Sequence, residues 1–86
     1  MNDYKLRKGD FISIHWLGED ERHPGFAYDL RYIGRNREHG YVLESTIYGW
    51  RYIVDKDKAT VCCEGYGMNR IYPVDNRSGW ANYLPD

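Results

Sequence analysis

The sequence predicts an all-β fold, a small five- to six-stranded antiparallel barrel or strongly bent sheet, on three observations. Short segments alternate apolar and polar residues with period two, loops rich in Gly, Pro, Asp and Asn separate them, and β-branched and aromatic residues fill the apolar positions. Closure is expected because a chain of 86 residues has few other ways to hide its sheet edges.

The first strand follows the Lys8-Gly9-Asp10 turn and covers residues 11–17, with Ile12, Ile14 and Trp16 alternating with Ser13 and His15. Residues 18–25 are polar and end in Pro24-Gly25, which is loop chemistry. Residues 26–33 alternate most cleanly: Phe26, Tyr28, Leu30 and Tyr32 are assigned to the core face, Asp29 and Arg31 to the wet face. A glycine-bracketed loop at 34–40 then leads into residues 41–48, which pair back as the second arm of a hairpin. Residues 50–54 and 59–64 form a second hairpin around the charged turn 55–58.

One competing assignment arises here, because Leu43, Ile47, Trp50 and Val54 fall at i, i+4, i+7 and i+11, a helical stripe that allows a short helix within 43–54. Gly49 and the crowd of β-branched and aromatic residues around it favour strand. The chain is taken as a single domain, with residues 1–64 as the barrel and 65–86 as an irregular, aromatic-rich arm. Within that arm residues 71–74 add a short edge strand, since Pro73 is tolerated only at an edge.

Twelve Lys and Arg against thirteen Asp and Glu give a net charge of −1, so no global field draws the protein to nucleic acid or to an anionic membrane. No run reaches the roughly 18 apolar residues of a membrane span, and the first residues lack the apolar stretch of a secretory signal, so a cytoplasmic location without membrane attachment is expected. Nine Tyr accompany three Trp and two Phe, and a tyrosine packs its ring while its hydroxyl seeks water, so some of these rings are expected at a surface. Cys62 and Cys63 are neighbours, which makes a bridge between them strained and nearly useless; free thiols are expected, one inward and one outward on a strand.

Candidate chemistry is sparse. His15, His23 and His39 lie in separate segments, and adjacent cysteines cannot wrap one ion, so no metal site is expected. The carboxylates at 19–21 and at Asp55 and Asp57 sit among turn residues where nothing shifts their pKa for acid–base work. Gly65-Tyr66-Gly67 is too short to cradle a phosphate and no Lys-Ser or Lys-Thr follows. No catalytic residue and no cofactor is assigned.

Residues 6–14 (Leu-Arg-Lys-Gly-Asp-Phe-Ile-Ser-Ile), 29–34 (Asp-Leu-Arg-Tyr-Ile-Gly) and 40–45 (Gly-Tyr-Val-Leu-Glu-Ser) resemble the middle of Src-homology-3-like barrels. The resemblance covers residues 6–47 and implies barrel architecture and a binding role. Tyr28 and Asp29 stand where the peptide-binding members carry paired tryptophans, and the proline expected shortly after Gly40-Tyr41 is absent, so recognition of proline-rich peptides is not carried over.

The expected function is that of a small non-enzymatic protein-binding or regulatory module, of the accessory or inhibitory kind that phages and mobile elements encode. Its contact surface is assigned to Arg35, Arg37, Tyr66, Trp80 and Tyr83, since Trp, Tyr and Arg dominate interface hot spots. Trp80, Tyr83 and Leu84 also suit a strap across an open barrel end. The alternative function is a nucleic-acid-binding barrel that uses the Arg35/Arg37 hairpin with stacking aromatics. A homodimer through an uncovered edge strand is compatible with either.

Overall fold

The computed structural model describes residues 4–19, 24–36, 40–65 and 68–85. Six strands follow one another in a single antiparallel meander: β1 (Phe11–His15), β2 (Phe26–Arg35), β3 (Gly40–Ser45), β4 (Arg51–Asp55), β5 (Thr60–Gly65) and β6 (Met68–Pro73), with a 3-10 turn at Trp80–Tyr83. The meander curls into a half-barrel. Just past β1, Trp16 bridges to Val74, just past β6; Leu17 N–H donates to the Pro73 carbonyl at 2.8 Å and Asp75 N–H to the His15 carbonyl at 3.1 Å.

Period-two alternation decides what lies inside. On the concave face Tyr41, Val54, Val61 and Tyr72 are cross-strand neighbours, as are Leu43, Tyr52 and Cys63, and Ile14, Leu30, Leu43, Val54, Val61, Cys63 and Leu84 are fully buried. On the convex face Arg31, Glu44, Arg51 and Glu64 form a row of alternating charge. Glu44 meets both arginines at 3.5 Å, in pairs exposed enough to contribute at most about 1 kcal/mol each. Cys62 is half-buried and Cys63 buried, both as free thiols.

The C-terminal segment closes one end of the curl. Trp80 is only 3% exposed and donates its indole N–H to the Asp75 carbonyl at 2.7 Å, Leu84 is fully buried, and Leu6 N–H donates to the Tyr83 carbonyl at 2.8 Å. The Tyr41 hydroxyl donates to the Pro85 carbonyl, tying β3 to the same segment.

Four expectations need correction. The strand expected over 41–48 is shorter: β3 ends at Ser45 and residues 46–48 turn, and in place of the alternative helix Ile47 stands 81% exposed at that turn. The sheet runs past residue 64, since β6 pairs with β5 along its whole length and begins at Met68, three residues before the expected edge strand. Trp80 belongs to the core and its ring is not a surface anchor.

The fourth correction concerns β2. Its alternation breaks at a bulge, because between the pairs Ile12–Leu30 and Ile14–Ala27 β1 has only Ser13 while β2 has both Tyr28 and Asp29. Asp29 adopts φ 55°, a left-handed conformation that Asp tolerates better than most residues. The extra residue shifts the phase, so Ala27 and Leu30 face the core while Phe26 and Tyr28, assigned to the core from sequence, stand 42% and 58% exposed.

Candidate docking groove

The displaced rings form one wall of a groove at the end of the half-barrel opposite the C-terminal segment. Phe26 and Tyr28 stack with centroids 4.9 Å apart and planes at 28°, and His15 meets Tyr28 edge-on at 6.1 Å. A stacked pair of exposed rings keeps part of its apolar surface dry without entering the core.

The turn between β3 and β4 supplies the other wall. Its geometry comes from Ser45, whose hydroxyl accepts the N–H groups of Ile47 (3.3 Å) and Tyr48 (3.2 Å), and from Gly49, whose φ of 72° favours glycine. Tyr48 then stacks on Trp50 with centroids 4.6 Å apart and planes at 20°. The Trp50 ring rests over Gly65 of β5, where a Cβ would come within 3.0 Å of it.

Between the walls the floor is Ala27, Leu30, Ser45 and Tyr52, with Pro24 at the rim, and the groove encloses about 410 Å³. None of its described lining residues is charged. Tyr52 continues the aromatic stacking inward, lying 5.8 Å from Trp16, which in turn lies 6.0 Å from Tyr72. Concave, apolar and aromatic surface carrying a few hydroxyls is what binding sites are generally made of.

Among the described residues, none of those assigned to a contact surface from sequence lines this groove. Arg35 lies at the far end of β2, its guanidinium 4.7 Å from the centre of the Tyr41 ring in a cation–π contact that also has Lys56 at 5.9 Å. Tyr83 is 44% exposed, with its ring 6.2 Å from Tyr4. Arg37 and Tyr66 lie outside the described residues. Sequence reading missed Phe26, Tyr28, Ile47, Tyr48 and Trp50; the one signal for them was the aromatic pair around Gly49, which marks a turn carrying rings that the core has no room for.

Elsewhere His15, Asp75, Arg77 and Ser78 line a small polar recess of about 180 Å³. The Arg77 guanidinium, at 2.6 Å from Asp75, holds that carboxyl below the usual carboxylate range, which ties up the one acid in the recess. Burial, helped by Glu64, pushes the Cys62 thiol up, away from the thiolate that a nucleophile needs. No group of three or more His, Cys, Asp or Glu that could hold a metal ion occurs among the described residues, and no helix among them is long and apolar enough to cross a membrane. Comparison with models of known families, with curated proteins and with solved structures finds no match to the chain.

Proposed function

We propose that this half-barrel is a non-enzymatic docking module that binds another protein in the aromatic groove. The observation that carries this reading is the exposure of Phe26, Tyr28, Ile47 and Tyr48 around a groove of about 410 Å³ whose described lining carries no charge. Exposed apolar patches on a small domain are often functional, and aromatic rings dominate the energetics of interaction sites. A regulatory, accessory or inhibitory role is part of the same proposal.

The likeness to Src-homology-3-like barrels over residues 6–47 is part of the same proposal. Lys8-Gly9-Asp10 opens β1, Gly40-Tyr41 opens β3, and Tyr28, one of the two residues at the paired-tryptophan positions, stands in the groove wall. The nucleic-acid alternative needs arginines beside a stacking platform. Arg35 instead faces Tyr41, five residues along β2 from Leu30 on the groove floor, roughly 16 Å away.

Affinity capture with the wild-type chain and with the Tyr28→Ala/Tyr48→Ala double variant, each with and without nuclease, tests the proposal. Capture of a protein that survives nuclease and fails with the double variant supports it. Nuclease-sensitive capture, or capture indifferent to the two tyrosines, overturns it.

A further inference from the structure

We infer that the groove is occupied by a second copy of this chain, in a two-fold dimer in which Ile47 of each protomer enters the groove of the other. The inference rests on the docking reading above and names its occupant. Ile47 sits at the tip of the β3–β4 turn, 81% exposed, on the rim of the groove that Phe26, Tyr28, Tyr48 and Trp50 wall. An apolar knob and an apolar hole therefore occupy one patch. A two-fold interface puts the same patch on both partners, so it needs this self-complementarity: each knob fills the other's hole in one rotation, and the assembly closes at two copies.

Charge and size agree with that occupant. Bringing two identical faces together juxtaposes like charges wherever the face is charged, and none of the described groove residues is. The exposed fractions of Phe26, Tyr28 and Tyr48 are 42%, 58% and 65%, which for rings of their size leaves on the order of 300 Å² of aromatic surface per protomer, before Ile47 is added. Even with Ile47 this stays below the roughly 800 Å² per partner of a standard specific interface, so the dimer is weak and concentration-dependent. The edge strands are poorer candidates: on β6, Pro73 has no N–H to donate and its carbonyl is already taken by Leu17.

Sedimentation equilibrium of the intact chain, from roughly 5 μM to 500 μM, brackets an interface of this size. The wild type should move from monomer toward twice the monomer mass. Ile47→Asp should weaken association at least about tenfold, because it buries an unpaired charge, while its circular dichroism stays unchanged at so exposed a turn position. Ile71→Asp, on the convex face of β6 and 68% exposed, should dimerise like the wild type. A wild type that stays monomeric at the highest concentration overturns the second-copy occupant, as does a dimer that Ile47→Asp leaves intact or that Ile71→Asp breaks. The docking reading fails separately, when capture of a partner is indifferent to Tyr28 and Tyr48.

Discussion

The backbone N–H of Asp29 donates to the Ser13 hydroxyl at 3.2 Å, across the place where β2 carries one residue more than β1. This contact fixes the bulge, and the bulge turns Phe26 and Tyr28 outward. Changes at Asp29 should therefore separate according to their tolerance of φ 55°. Asp29→Gly should leave stability within about 1 kcal/mol of the wild type, whereas Asp29→Val, β-branched in a left-handed conformation, should cost about 1–2 kcal/mol. Ser13→Ala should cost about 0.5–1.5 kcal/mol through the lost acceptor. Urea midpoints at constant slope measure all three; equal values for Gly and Val at position 29 would show that the bulge lies elsewhere.

Among the described residues Ala59 is the other non-glycine residue in the left-handed region, at φ 53° in the turn between β4 and β5. Its side chain is exposed, so replacing it removes little packing. Relief of left-handed strain outweighs the extra chain entropy of glycine, and Ala59→Gly should stabilise the fold by about 0.5–1 kcal/mol. A lower urea midpoint for the variant contradicts this account of the turn.

Trp80 tests the closing segment. Its ring is buried and its indole N–H is bonded to the Asp75 carbonyl, so Trp80→Ala should cost about 3–5 kcal/mol, a large part of the whole stability of a domain this small. Trp80→Phe keeps most of the volume and loses the hydrogen bond, and should cost clearly less. Thermal unfolding followed by circular dichroism ranks them; if Trp80→Ala unfolds like the wild type, the segment is not part of the core.

How far the fold was legible follows from such residues. Alternation in β1 gave correct faces because nothing interrupts the period between Ile12 and Trp16, and the charged turn at 55–58 marked the β4–β5 hairpin. It failed in β2 because a bulge has no compositional mark when an aspartate, and not a glycine, takes the left-handed position. The groove was hidden for the same reason: its near wall exists only after the phase slip, and its far wall lies in a turn that the apolar residues Ile47, Tyr48 and Trp50 disguise as strand or helix. Trp80 was open to two readings because burial of a terminal tryptophan depends on a cavity that only the closed sheet creates.

Acid should act through Asp10. The Tyr4 hydroxyl donates to its carboxylate at 2.5 Å and Arg7 N–H at 2.9 Å, which holds Asp10 below the usual carboxylate range and raises Tyr4 above the usual phenol range. A depressed carboxyl contributes stability that is complete above its unfolded value of about 3.9 and is lost as pH falls through the lower folded value. A raised phenol contributes stability that is complete below about 10 and is lost as pH rises through the folded value. Asp10→Asn should flatten the acid limb of a urea-midpoint profile, leaving the share of Asp75, which Arg77 holds low in the same way, and Tyr4→Phe should flatten both limbs. An acid limb unchanged in Asp10→Asn removes this carboxylate from the account.

Gly65 links the fold to the groove most directly. A Cβ there would lie 3.0 Å from Cδ2 of Trp50 and 3.3 Å from Cγ and Cε3, so the ring has to lift away from β5 and carry Tyr48 with it. Gly65→Ala should therefore cost about 1–3 kcal/mol by overpacking and shift the tryptophan emission, because Trp50 gains exposure. Gly9→Ala is the control: at φ 97° it meets backbone strain, but its Cβ has nothing within 4 Å, so it should lose stability without moving the emission. If the groove is the docking surface, Gly65→Ala should also weaken association of the folded protein while Gly9→Ala does not; equal association by the two variants would mean that the position of Trp50 does not matter to the partner.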